Sequence, residues 1–118
     1  MKVLINKCFG GYSLSEEFVN HLIANNLISE DYNKYNINRD NQIVIEEAIK
    51  FGLENANGLC AELYIVEIPD GCEYKIGEYD GSEWIEQIWI NVTLDELKNG
   101  LSDKQLSMVS QGCDIKLK

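Results

Sequence analysis

The chain has 118 residues, 45% of them hydrophobic, and a formal net charge of −10. That length fits one domain able to bury roughly two thirds of its unfolded surface, and the charge sets it against nucleic acid and anionic membranes as direct partners. No apolar run reaches the roughly 20 residues of a membrane span, and Val3-Leu4-Ile5 is too short for a signal-peptide core, so a soluble cytoplasmic protein is expected.

Residues 2–8 read as a first strand, with Val3, Leu4 and Ile5 β-prone, ended by Phe9-Gly10-Gly11. Ser13-Leu14-Ser15-Glu16 is a capping-box pattern that makes Ser13 the expected N-cap. Phe18, Val19, Leu22 and Ile23 then recur on one helical face, and Asn25-Asn26 is the expected stop. Residues 29–41, rich in Asn, Asp and Tyr, read as a loop. A second helix is expected from Gln42, with Ile45, Ala48, Ile49 and Leu53 as its stripe, widened by Val44 and Phe51, and Asn57-Gly58 as its end.

After Gly58 the period changes. Residues 63–68 read as a strand closed by the turn Pro69-Asp70-Gly71. Residues 73–79 and 82–90 flank Asp80-Gly81, the signature of a hairpin with a type I′ turn. In that register Glu78 faces Glu83, a mildly destabilising like-charge pair. Thr93 and Ser102 open two further capping-box patterns, and residues 114–118 form an edge strand or a loose tail. The order of elements predicts an α+β fold. Its sheet should be largely antiparallel, with two main helices on one face and short C-terminal helices. Residues 1–90 would make the core domain, and 91–118 an appendage packed on it.

The charge is uneven. Residues 62–97 hold ten acids against Lys75 alone, whereas residues 98–118 hold two acids and four bases. A basic protein surface would be drawn to the acidic stretch. Glu62, Glu67, Glu78, Asp80, Glu83 and Glu86 are its candidate contacts, with Trp84 as an anchor. The four cysteines, Cys8, Cys60, Cys72 and Cys113, lack metal-knuckle or CxxC spacing and read as free thiols. The hairpin carboxylates do not form a calcium-loop pattern, and no metal or cofactor is implied.

Gly10, Gly11, Tyr12, Ser13 and Ser15 join a strand to a helix start, a place where backbone amides can cradle an anion. No nucleotide-loop motif accompanies them. The plain alternative is a tight turn followed by a cap. Lys7 or Arg39, the single arginine, would have to serve a phosphate. Cys8 with His21 suggests a thiol and a base, but His21 lies two turns into its helix, and no oxyanion donor or third member follows.

The segment Met1-Lys2-Val3-Leu4-Ile5-Asn6-Lys7-Cys8-Phe9-Gly10-Gly11-Tyr12-Ser13-Leu14-Ser15 resembles the opening of a family of small bacteriophage and prophage proteins of unassigned function. Ala56-Asn57-Gly58, Leu63-Tyr64-Ile65-Val66-Glu67-Ile68-Pro69-Asp70-Gly71 and Glu78-Tyr79-Asp80-Gly81-Ser82-Glu83-Trp84-Ile85 resemble its middle and its hairpin. The likeness covers roughly residues 1–90 and implies an accessory gene of a bacterial virus, with no catalytic residues. The leading expectation is therefore a non-enzymatic acidic inhibitor of a bacterial host or defence protein, acting as a nucleic-acid mimic. A small-ligand or nucleotide-sequestering protein is the second reading. A phage structural component that forms a homodimer or larger assembly is the third.

Overall fold

The computed structural model describes residues 1–29 and 38–118; most of the expected loop over 29–41 lies outside the described residues. The fold is α+β, with mostly antiparallel strands. In chain order the elements are β1 (Lys2–Asn6), α1 (Glu16–Ala24), α2 (Gln42–Phe51), α3 (Leu53–Ala56), β2 (Leu63–Glu67), β3 (Glu73–Tyr79), β4 (Ser82–Val92), α4 (Leu94–Asn99), α5 (Asp103–Ser110) and β5 (Asp114–Leu117). Two sheets form where one was expected. The first is the antiparallel pair β1-β2, and the second has the order β3-β4-β5.

By its own contacts the chain resolves into two compact units, divided differently from the expected 1–90 and 91–118. One comprises Lys2–Glu67 with the hairpin tip Glu78–Trp84. The other comprises Met1, Ile68–Gly77 and Ile85–Lys118.

In the first unit β1 runs antiparallel to β2, with Leu4 opposite Ile65. Strand alternation sends Leu4 to the helical side. There it joins Phe18 and Leu22 of α1 and Val44, Ile45 and Ala48 of α2 in one core. Val3 and Ile5 point the other way and are also buried. Helix α1 starts one turn-residue pair later than the pattern predicts. Its N-cap is Ser15, whose hydroxyl accepts from Phe18 N–H and donates to the Asn55 carbonyl. Ser13 is buried instead, because Gly58 N–H donates to its carbonyl and leaves it paired along the α3–β2 connection. Asn25 and Asn26 end α1 as expected, Asn26 at φ 55°.

Helix α2 is capped by Asn41, which accepts from Ile43 and Val44 N–H. It stops at Gly52 rather than at Asn57-Gly58, since Gly52 adopts φ 93° and the chain restarts as the short α3. The buried stripe accordingly contains Val44, while Ile49 is left exposed.

In the second unit Gly71 turns the chain at φ 84° into β3. Strand β4 pairs in parallel with β5, Ile90 opposite Ile115, so the tail is an edge strand. Trp89 is half-buried beneath Lys116, whose ammonium lies 3.8 Å from the ring centre. Both capping boxes form. Thr93 and Glu96 close the start of α4, and Ser102 and Gln105 that of α5. The Thr93 N–H, donating to the Glu96 carboxylate, holds that group below its ordinary 4.5. Among the described residues no helix is long and apolar enough to cross a membrane.

Cys72 and Cys113 are both buried in this unit. Burial, with the neighbouring Cys113 as the next cause, pushes the Cys72 thiol from 9.0 up to about 11. The raised value means the fold favours the neutral thiol. That contribution is whole below pH 9.0 and is lost as pH rises to about 11. Iodoacetamide at mildly alkaline pH should label exposed Cys60 first and Cys8 next, leaving Cys72 and Cys113 unmodified until the protein unfolds. Mass spectrometry of the labelled sites checks the order; early labelling of Cys72 would contradict its burial.

Candidate interaction surface

The arrangement begins with Asn6, the last residue of β1, which is fully buried. Its amide donates to the carbonyls of Cys8 (2.6 Å) and Gly81 (2.7 Å). Its side-chain oxygen accepts from Cys8 N–H (3.2 Å) and Glu62 N–H (2.8 Å). Both donors and both lone pairs of the amide are therefore used, as burial requires. One side chain thus joins the ends of β1 and the connection before β2 to the hairpin tip.

A charged pair seals the same place. Glu83 has a side chain only 9% exposed, and Arg39 one only 18% exposed. The guanidinium grips the carboxylate with both nitrogens, at 2.5 and 3.0 Å. Glu83 also accepts from Asn6 N–H at 2.9 Å. The guanidinium plane lies 3.5 Å from the centre of the Tyr12 ring. The Arg39 carbonyl accepts from Leu4 N–H at 2.8 Å, tying the segment before α2 to β1.

The glycines do a steric job here. Asp80 and Gly81 both have positive φ, 53° and 92°, as a type I′ turn demands. A Cβ on Gly81 would lie 2.2 Å from Gly11 N and 2.6 Å from Gly10 N. Gly10 N–H donates to the Asp80 carbonyl at 3.2 Å. A Cβ on Gly10 would in turn lie 2.7 Å from Cys60 Cβ. Ser82 adds a hydrogen bond to the Lys7 carbonyl. The two glycine motifs of the sequence are thus halves of one contact, the hairpin tip seated on the β1–α1 loop.

The candidate anion loop is consequently occupied by the chain itself. Gly10 and Gly11 receive Gly81, Tyr12 and Ser13 are buried, and Ser15 caps α1. The depression beside it is lined by Glu16, Glu17 and Glu54, which repel an anion. His21 is held by Glu47 at 3.0 Å and flanked by the Phe18 and Phe51 rings. Its hydrogen bond holds the Glu47 carboxyl below the ordinary 4.5.

The acidic candidates do not form one free row. Glu83 turns inward to Arg39. Glu78 accepts from Gly81 N–H at 2.5 Å, and Glu86 pairs with Lys75 at 3.1 Å. Lys75 opposite Glu86 is the register that a two-residue turn imposes; it sets Glu78 against Glu83, and each has its own partner. Glu62, Glu67 and Asp80 remain exposed, as does Trp84, at 45%. Sequence reasoning missed Asn6 and the Arg39–Glu83 pair. The available signal was an asparagine closing an apolar strand and a single arginine in a strongly acidic chain.

No protein-family model, no curated protein and no solved structure matches this chain. Its class rests on what its own residues do.

Two substitutions test the junction. Glu83→Ala leaves the Arg39 guanidinium partly buried without its carboxylate, and a loss of about 3 kcal/mol is expected in urea denaturation; a loss under 1 kcal/mol, the range of surface pairs, would contradict the burial. Gly81→Ala should cost more than Gly11→Ala, although both positions have positive φ, because only the first meets backbone atoms. The expected losses are about 3 kcal/mol or more against about 1 kcal/mol.

Proposed function

We propose that the protein is a non-enzymatic, inhibitor-type binding module that engages a basic surface of a bacterial host or defence protein. The supporting observation is the distribution of charge over the first unit. Among its described residues eleven acids stand against four bases. Those bases are largely engaged: Arg39 is buried against Glu83, Lys7 lies over the Tyr64 ring, and Lys50 lies 3.5 Å from Glu47. The second unit is nearer balance, with seven acids and five bases. The field that would steer a cationic partner therefore comes chiefly from the first unit.

This shifts weight within the acidic residues. Glu62, Glu67 and Asp80 keep the contact role, joined by Glu16, Glu17 and Glu54 at the start of α1 and in α3. Glu83 supports the hairpin instead of meeting a partner, and Glu86 stands in a pair with Lys75. The resemblance to small phage proteins supplies the bacterial setting.

Capture from a bacterial lysate at low ionic strength, with the partner identified and then purified, tests the reading. The partner should be basic, and its association rate should fall steeply as salt shortens the screening length below about 10 Å. Glu62→Gln with Glu67→Gln and Asp80→Asn should slow association while leaving the melting temperature unchanged. A partner without basic character, or a rate indifferent to salt, would overturn the proposal.

A further inference from the structure

The same junction that closes the first unit also sets out three large apolar side chains. Leu59 is 92% exposed, Tyr79 72% and Phe9 62%. Each directly precedes a residue of the junction in sequence: Phe9 before Gly10, Leu59 before Cys60, Tyr79 before Asp80. Gly10 touches both of the others, through its N–H to the Asp80 carbonyl and through its approach to Cys60. With successive Cα atoms about 3.8 Å apart, Phe9 stands within about 15 Å of each of the other two, and Leu59 within about 20 Å of Tyr79. They come from two loops and the end of β3, all in one compact unit.

Exposing three such side chains around one junction runs against the hydrophobic effect, and apolar groups set out around one point of a surface suit an interaction site. The segments that carry them are fixed in advance. Gly10, Cys60 and Asp80 hold positive φ at 118°, 66° and 53°. Asn6 binds the backbone of all three segments, at Cys8, Glu62 and Gly81. A preordered patch loses little conformational entropy when it binds.

The surroundings specify the occupant. Leu59 borders the depression lined by Glu16, Glu17 and Glu54. Tyr79 lies between exposed Glu78 and Asp80, and Glu62 follows Cys60 by two residues. Apolar anchors with an acidic rim complement an apolar socket rimmed by lysine and arginine. Phosphate-bearing partners are repelled by that rim, and so is a second copy of the same acidic face.

We infer that Phe9, Leu59 and Tyr79 form a three-pronged docking surface for a basic protein partner, the prongs entering an apolar socket and the flanking carboxylates meeting its cationic rim. The inference rests on the function proposed above and assigns that function to one end of one unit.

The test uses the full chain, labelled with nitrogen-15, and three probes. These are an amphipathic helical peptide whose apolar face is flanked by Lys and Arg, the same peptide with Glu in their place, and polylysine. The basic amphipathic peptide is expected to shift the amides of residues 9–11, 58–62 and 78–81. Polylysine should produce weaker and diffuse shifts, and the Glu peptide none. Phe9→Ser with Leu59→Ser and Tyr79→Ser should weaken the basic peptide by at least about tenfold. Leu59→Arg, a single change at an open position, should do so by itself. Binding of the basic peptide unaffected by both variants would overturn the docking surface and leave the acidic-partner reading standing. Absence of binding by either basic probe would overturn both. A dimer in sedimentation equilibrium that Leu59→Arg dissociates would make a second copy the occupant and overturn the inference.

Discussion

The first unit depends on a single buried polar junction. Asn6 ends an apolar strand, and its amide has no water to bond. Leaving its donors or acceptors unmade would cost about 1–3 kcal/mol each. The backbone therefore arranges itself around it, and the β1–α1 loop, the approach to β2 and the hairpin tip are all drawn to one side chain. The Arg39–Glu83 pair closes the remaining opening, with Tyr12 beneath the guanidinium. A partly buried ion pair adds little net stability by itself, but it penalises arrangements that separate its members. In this chain it fixes where the hairpin tip must sit.

Close approach follows from that constraint. The hairpin tip reaches the β1–α1 loop only because Gly81, Gly10 and Gly11 present backbone to backbone. The Gly10 amide, in the loop expected to cradle an anion, instead donates to the Asp80 carbonyl in forming the seat. What the junction leaves accessible are the residues just before its contact points, Phe9, Leu59 and Tyr79, and the carboxylates around them.

Strand pairing and the junction between them sort the acids. A count along the sequence treats Glu78, Glu83 and Glu86 alike. Their environments differ because strand alternation and pairing send each to a separate partner: a turn amide, a buried guanidinium and a cross-strand lysine. Net charge survives this sorting, since each neutralised acid consumes one of few bases, and the first unit stays strongly acidic.

Much of the local structure was legible in the residues themselves. Asp80-Gly81 set the hairpin turn, Thr93 and Ser102 set two helix starts, and apolar periodicity placed α1 and α2, because these signals act over a few residues. The misplaced features were those in which distant segments compete. Ser15 displaced Ser13 as the cap once Gly58 had claimed Ser13, and Gly52 ended α2 before the later glycine could. By itself the sequence determined the α+β composition, the charge and the turns. Tertiary structure alone decided that Asn6, Arg39 and Glu83 meet, that the glycine motifs are partners, and which carboxylates stay free. Those outcomes depend on burial between residues up to 77 positions apart, which no local pattern encodes.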